Sequence, residues 1–217
     1  MLQTDLGKTG NAALSLARGG QRCGFSNVGP DSVDRARLEA KIRSGFGMHF
    51  GACIEGFMPR FALYRHTSGA TGVIGVRQAS HEPLYLEHYL SQPIERIITD
   101  ASDCRVERSA IAEIGQFVVD DRDIVGSFFR ELAPFLSAEG YDWVCFTGTN
   151  KIRALLNRIG FRGMPVTAAD AKRIPAAGDR WGSYYDNDPV VIVGKLDDPE
   201  GHWCRGFADQ LSSQAGR

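Results

Sequence analysis

One carboxylate is a candidate for chemistry because it lies inside a strand that is otherwise largely apolar. Glu113 belongs to the run 111–119, IAEIGQFVV. Burial would raise the pKa of this carboxylate toward a value at which it could act as a general base. The alternative role is structural: Glu113 pairs with a buried arginine, Arg77 or Arg108, so that both charges are satisfied.

The turn after this strand is a candidate binding site for an anionic or polar cofactor arm. Arg122 lies in the turn, and Gly126 opens an amphipathic helix directly after it. Backbone N–H groups at a helix start have no partner within the helix, so they can bind such a group. The strand and the turn therefore place a candidate base and a candidate cradle close together in the chain.

Alternating strands and helices position these residues. Within 105–161 the pattern predicts a strand over 111–119, a helix from Gly126 to Gly140, a strand over 141–147 and a helix from Asn150 to Gly160. Both helices carry apolar residues at helical spacing. Strands and helices that alternate at this spacing favour crossover units on a mixed or parallel sheet.

The flanking regions extend the same mixed α/β pattern. A helix is predicted from Asp31, followed by two strands around the turn 66–71. The segment 84–100 reads as helical with a break at Pro93, and 190–193 as a final strand. We expect a single domain over 31–196, a flexible leader over 1–30 and a C-terminal tail over 197–217.

Composition excludes several classes of protein. The chain has 217 residues and a formal net charge of −1, with no basic cluster of the kind that binds nucleic acid. No apolar run approaches the length that spans a membrane, and no signal peptide is visible. The five cysteines are scattered without metal or disulfide spacing, so we expect reduced thiols, no bound metal and a cytoplasmic location.

The order of these motifs resembles the GNAT acyltransferase fold. The matching residues are the strand end EIGQFVVD over 113–120, the turn with Arg122 and Gly126, and the stretch from Asn150 to Gly160-Phe161. The resemblance implies a mixed central sheet flanked by helices, with an acyl thioester held between the fourth and fifth strands.

A closer resemblance, over about residues 33–196, is to the thermostable hemolysin family. It rests on the segments FMP (57–59), GVRQA (75–79), LYLEHYL (84–90), QPIE (92–95), IAEIGQ (111–116), WVCFTGT (143–149) and WGSYYD (181–186). The family is named for red-cell lysis, whereas its fold is thought to be GNAT-like and related to acyl-homoserine-lactone synthases. The name and the fold therefore imply different functions.

The GNAT resemblance assigns roles to residues of this chain. Main-chain groups of Phe117, Val118 and Val119 would hold a pantetheine arm. A second set, at the turn and helix starts, would complete the thioester site: Arg122, Gly126, Ser127 and Asn150. The co-substrate implied is an acyl-pantetheine thioester, either acyl-CoA or an acyl-carrier protein, with no permanently bound cofactor.

The phosphate turn departs from the usual GNAT pattern. One glycine is missing, and Asp120, Asp121 and Asp123 oppose a diphosphate. This departure puts free coenzyme A in doubt and leaves room for an acyl-carrier protein, whose arm bears a single phosphate. A degenerate phosphate loop on an enzyme that still uses coenzyme A is the equal alternative.

The acceptor would be a small amine, and Glu113 would take its proton. Candidate acceptor contacts are Arg77, Glu87, Trp181, Tyr184 and Tyr185. The alternatives are an intramolecular salt bridge for Arg77, a surface position on an amphipathic helix for Glu87 and plain core packing for the three aromatic residues. The tyrosine acid common in GNAT enzymes falls on Leu156, so that acid is absent.

We therefore expect an N-acyltransferase that works by direct attack of the amine on the thioester. Two alternatives come from other classes. One is a membrane-active lytic protein, which the absence of a basic amphipathic helix and of an export signal disfavours. The other is a non-catalytic protein that keeps the thioester cleft for binding.

Overall fold

A seven-stranded mixed sheet forms the centre of the computed structural model, which describes residues 23–174, 178–198 and 202–204. The strands are β1 Gly24–Val28, β2 Arg60–Arg65, β3 Thr71–Gln78, β4 Ile111–Val119, β5 Trp143–Gly148, β6 Met164–Ala168 and β7 Val190–Lys195. Their order in the sheet is β1-β2-β3-β4-β5-β7-β6. β4 and β5 pair in parallel, and the other neighbours pair antiparallel.

In the part of the chain that the structure describes, four α-helices cover the two faces of the sheet. They are α1 Arg35–Phe50, α2 Ile94–Ser102, α3 Val125–Ala138 and α4 Asn150–Arg158. Short 3-10 segments connect them, among them Tyr85–Tyr89 and Gly178–Asn187. Pro134 lies inside α3, which continues through it.

Side-chain alternation along the strands assigns each helix to a face. Phe61 of β2 packs with Leu38 of α1, whereas Tyr64 packs on the other face with Phe128 of α3. Ile98 of α2 packs on the α1 side, against Trp143 and Cys145 among other residues. Because successive strand residues point to opposite faces, these clusters separate an α1/α2 layer from an α3/α4 layer.

The architecture confirms the predicted fold class, a mixed central sheet flanked by helices. The predicted strand over 111–119 is β4, and the other predicted strands match β2, β3, β5 and β7. Two strands are additions to the prediction. β1 lies inside the stretch 1–30 that we expected to be a loose leader, so the sheet begins before Asp31. β6 lies in a stretch for which the sequence analysis predicts no element.

The first residues of the predicted C-terminal tail, 197–217, also contribute to the fold. Asp198 bridges to Lys195, and the Trp203 ring packs edge-on against Trp143 at 4.8 Å between centroids. Residues 1–22 and 205–217 lie outside the described residues. Within the described part of the chain, no helix is long and apolar enough to cross a membrane.

Candidate acyl-transfer site

The site is a gap between β4 and β5. These two strands, both fully described, pair only at their first three positions, Ile111–Glu113 against Trp143–Cys145. β4 then continues to Val119 and β5 to Gly148 without further pairing to each other. A cavity of about 640 Å³ occupies the gap, and its wall includes β4 from Glu113 to Val119. The edge of β4 that faces β5 is therefore open to an added chain.

A β-bulge in β4 lies where the gap begins. Gly75 of β3 faces Gly115, but Val73, two residues earlier, faces Val118, three residues later. The extra residue is accommodated around Gln116, which has a positive φ of 55°. A bulge of this kind bends its strand and increases its twist, which accounts for the divergence of β4 from β5.

Gln116 also ties the bulge to the segment that precedes β2. Its Nε2 donates to the Gly56 carbonyl at 2.8 Å, and its Oε1 accepts from the Met58 N–H at 3.0 Å. The Met58 side chain lies over Gly75 and Gly115, where added Cβ atoms would approach it within 2.8 and 2.9 Å. These contacts hold a residue other than glycine in a left-handed conformation.

Replacing Gln116 is therefore expected to destabilise the fold, and alanine should destabilise it more than glycine. Gln116→Ala loses both clamping hydrogen bonds and keeps the left-handed strain, at a cost of about 2–3 kcal/mol. Gln116→Gly loses the same bonds but relieves that strain, so it should unfold at a higher temperature than the alanine variant. Thermal melts of the three proteins check this order. An alanine variant as stable as the glycine variant would contradict the left-handed strain at this position, and two variants as stable as the wild type would contradict the role of the hydrogen bonds.

Glu113 is buried at the apex of the gap, with 3% of its surface exposed. Its Oε1 accepts from the Leu86 N–H and its Oε2 from the Tyr85 N–H, both at 2.9 Å. The Nη1 of Arg77, on the neighbouring strand, lies 3.4 Å from Oε2. Burial raises the pKa of Glu113 above its ordinary value, although the two amides and Arg77 act in the opposite direction.

Arg77 lines the same cavity but is not a free cation. Its guanidinium lies between Glu113 and Glu82, whose Oε1 is 2.9 Å from Nε. Both the predicted acceptor contact and the predicted alternative, an ion pair with Glu113, are thus compatible with its position. Arg108, the other arginine considered as a partner of Glu113, pairs elsewhere.

Aromatic residues form the wall of the cavity near Glu113. Trp181, Tyr184 and Tyr185, predicted as acceptor contacts, all line it. Tyr184 donates to the Thr147 carbonyl at 3.0 Å, and the Trp181 Nε1 donates to the Tyr85 hydroxyl at 3.1 Å. Burial raises the pKa of Tyr85 to about 12 and also raises that of Tyr184, so both phenols stay protonated at neutral pH.

Several cavity residues were missed by reasoning from the sequence. Tyr85 and Tyr89 belong to the 3-10 segment and line the cavity. The hydroxyl of Tyr89 lies 2.7 Å from that of Tyr185. In sequence both looked like the apolar positions of an amphipathic helix. The end of α1 contributes the others: Phe46, Met48, His49 and Phe50.

Comparison with known families and structures identifies the chain. The sequence model of the family described as "Thermostable hemolysin" matches residues 28–199. The chain belongs to the thermostable hemolysin family. A search of the curated proteins finds no match.

Solved structures show that this hemolysin-family chain has the fold of GNAT-like acyltransferases. The AHL synthase LasI aligns with a TM-score of 0.55 at 10% identity, over 85% of this chain and 95% of its own. FeeM, an N-acyl amino acid synthase from uncultured soil microbes, aligns with a TM-score of 0.50 at 16% identity, over 84% and 93%. Apo TofI aligns with a TM-score of 0.50 at 12% identity, over 84% and 95%.

Two of the motifs that resemble the hemolysin family, LYLEHYL and QPIE, meet in one polar network around Glu87. Glu87 accepts from the backbone N–H groups of Leu84 and Ile94, and it pairs with Arg108 at 2.7 Å. Arg108 also contacts Glu95 at 2.5 Å. Glu87 does not line the cavity with Glu113. Its contacts fix the 3-10 segment whose amides hold Glu113.

The three residues predicted to follow the pantetheine arm do line the cavity. Phe117 packs its ring against Phe128 and Phe129 in the α3 layer. Val118 points to the other face, where it fills the space beside Gly45 of α1. The side chains of Phe117 and Val118 are thus packed in the core, and the main-chain edge of β4 at these residues borders the gap.

The turn after β4 departs from the predicted diphosphate site in this family member. Arg122 is exposed and lines the cavity, as predicted. The Asp121 carboxylate accepts from the Asp123 N–H at 2.9 Å, so it occupies a donor that a phosphate would need. Asp120 also lines the cavity, and its carboxylate pairs with Lys41 at 2.7 Å. Burial acts to raise the pKa of Asp120, but hydrogen bonds from Lys41 and Thr71 outweigh it and lower that pKa.

Three other predicted thioester contacts lie off the cavity wall. The Ser127 hydroxyl donates to the Ile124 carbonyl at 2.8 Å, so the backbone already uses it. Gly126 lies in the first turn of α3, with open space where a Cβ would be. Asn150 is exposed and is the first residue of α4, and Thr149 is the residue that lines the cavity there.

The remaining cavity wall is apolar. Leu156, at the position of the GNAT acid, lines it together with Leu132, Leu136, Val144, Phe146, Ile152 and Phe161. Cys145 is fully buried on the other face of β5, and burial raises the pKa of its thiol well above the ordinary value. A thiol in that state is a core residue rather than a nucleophile.

Proposed function

We propose that this protein is an N-acyltransferase that moves an acyl group from a pantetheine thioester to an amine. One observation carries the proposal: the open edge of β4 and the buried carboxylate of Glu113 face the same cavity between diverging strands. An open strand edge binds an extended amide-containing chain by main-chain hydrogen bonds. The GNAT-like fold of the chain supports the same function.

The proposed reaction begins with the amine acceptor against the aromatic wall. Glu113 removes a proton from the ammonium group, and the free amine attacks the thioester carbonyl carbon. A main-chain N–H of Phe117 or Val118 stabilises the oxyanion of the tetrahedral intermediate. The intermediate collapses with cleavage of the C–S bond, and the second N–H proton of the attacking nitrogen passes to water as the thiolate takes up a proton. The amide product and the pantetheine thiol leave, and Glu113 returns its proton to solvent.

Leu156 takes the place of the usual GNAT acid and cannot donate a proton to the leaving thiolate. Tyr184 lines the cavity and keeps its proton at neutral pH because burial raises its pKa. We assign the proton donor either to Tyr184 or to water. Water is sufficient because a thiolate can leave without a general acid.

The lining of the cavity favours an aliphatic acyl group. Between α3 and α4 the wall consists of leucine, isoleucine, valine and phenylalanine side chains. Each methylene of an acyl chain that enters this wall is worth about 0.8 kcal/mol. We therefore expect longer acyl donors to have a lower KM than acetyl donors.

The experiment that tests this function supplies three donor types and a pool of amines. The full chain is incubated with acyl-CoA, acyl-carrier protein or acyl-pantetheine of increasing chain length, and mass spectrometry follows amide formation and thiol release. Amide that appears only with active protein is the expected result. Thiol release at the rate of a heat-denatured control, with every donor, would refute an acyltransferase.

A further inference from the structure

The outer side of α4 carries a group of basic residues without acidic partners. The stretch 150–162 contains Lys151, Arg153, Arg158 and Arg162 and no aspartate or glutamate. Lys151, Arg158 and Arg162 are exposed. None of the four forms an ion pair with a described residue, whereas other basic residues near the site do. In a chain of net charge −1, this concentration of unpaired positive charge calls for an explanation.

The same helix forms a wall of the cavity on its other side. Ile152 and Leu156 line the cavity, and Ile159 does so one turn later. Lys151 and Arg158 are seven residues apart, so they share one side of the helix and lie about 10 Å apart along it. We call the side of α4 with Lys151 and Arg158, together with Arg162, the basic face. A partner bound there would be one helix diameter from the cavity.

The arrangement fits an extended acidic surface better than a nucleotide. At the turn after β4, Asp121 already occupies the Asp123 N–H and adds negative charge where a diphosphate would bind. The basic face lies on a different element, and its two helix charges are spaced further apart than the oxygens of a diphosphate. Rows of acidic side chains on a helical protein match such spacing.

We propose that the basic face of α4 docks an acidic acyl-carrier protein, which passes its acyl-pantetheine arm into the gap between β4 and β5. This inference rests on the proposed acyl transfer and names its partner surface. Arg122, exposed on the cavity wall at the turn after β4, would pair with the single phosphate of that arm.

The test reverses charge on the basic face and compares donors. The double variant Lys151→Glu/Arg158→Glu leaves the cavity-lining residues unchanged. With a decanoyl donor on a fatty-acid carrier protein, its kcat/KM should fall at least about tenfold, and with decanoyl-pantetheine it should change less than about twofold. The matched control is Arg96→Glu/Lys172→Glu, which makes the same charge change at two exposed residues without described ion pairs.

A binding measurement keeps the test independent of turnover. Fluorescence anisotropy with labelled holo carrier protein should show wild-type binding that weakens with salt and is lost in the double variant. Absence of binding by the wild type would overturn the docking surface, whatever the activity. If no donor reacts, decanoyl-pantetheine included, the proposed function fails. The binding measurement alone then decides whether the basic face docks the carrier protein.

Three other outcomes would also overturn it. Equal losses with carrier-borne and free donors would mean that the substitutions disturb the cavity. A selective loss with decanoyl-CoA would assign the basic face to nucleotide phosphates. Binding to anionic phosphatidylglycerol vesicles that requires Lys151 and Arg158, without binding to the carrier protein, would assign it to a membrane.

Discussion

Glu113→Gln is expected to lower kcat by about two to four orders of magnitude, the range over which a positioned general base contributes. The carboxylate is buried at the apex of the gap and lines the cavity, so an ammonium group against the aromatic wall is within its reach. Glutamine has nearly the same shape but cannot accept a proton. Steady-state rates of amide formation, together with thioester affinity from a binding titration, measure the two effects separately.

The variant must also be separated from a loss of structure. Glu113 accepts two backbone N–H bonds, and the NH₂ group of glutamine would leave one of them unpaired. Glu87→Gln is the matched control, because Glu87 also accepts two backbone bonds and pairs with an arginine, yet lies off the cavity. We expect both variants to lose some thermal stability and only Glu113→Gln to lose turnover.

The pH profile gives a second readout for the same residue. A base works only when deprotonated, so kcat/KM should fall as the pH drops below the pKa of Glu113. Burial raises that pKa, which moves the acidic limb of the profile above the range of an ordinary glutamate. The limb should be absent in Glu113→Gln. If Glu113→Gln and Glu87→Gln slow the reaction equally, Glu113 is not the base. The same conclusion follows if the acidic limb of the pH profile persists in Glu113→Gln.

Those parts of the fold that follow local rules could be predicted from the sequence. β4 and α3 show the periodicity of their element types, and Pro93 marks a real break before α2. β1 was missed because glycine, serine and asparagine dominate its surroundings, and their composition resembles that of a loose segment. β6 is a short edge strand that contains Pro165, which weakens any strand signal.

The site depends more on tertiary contacts than on local pattern. Glu113 could be found because a carboxylate in an apolar strand is rare. Glu87 could not be told apart from it, since only the position of Arg108 shows that its charge is used structurally. The bulge at Gln116 has no local signal either, because its left-handed backbone is held by Gly56 and Met58, almost sixty residues away.

The aromatic wall depends on one close approach, and Gly182→Ala is expected to break it. Gly182 adopts φ 51° and ψ −132°, and a Cβ there would lie 2.0 Å from the Phe50 carbonyl oxygen. The segment that carries Trp181 and Tyr184 would have to move by about 1 Å, enough to cost about a hundredfold in rate. Backbone strain and overlap add a loss of about 3 kcal/mol in stability. Thermal melts and the acceptor dependence of the rate measure both effects.

Gly51→Ala is the control that separates backbone strain from displacement of the aromatic wall. Gly51 also has a positive φ, 64°, but an added Cβ would meet nothing within 4 Å. We expect it to lose only the left-handed penalty of about 1–2 kcal/mol and to keep its rate, because the wall stays in place. Both glycines lie at the contact between α1 and the 178–187 segment, since the Cys53 N–H donates to the Arg180 carbonyl at 2.7 Å beside them. If Gly182→Ala matched Gly51→Ala in both stability and rate, the contact with Phe50 would not position the acceptor wall.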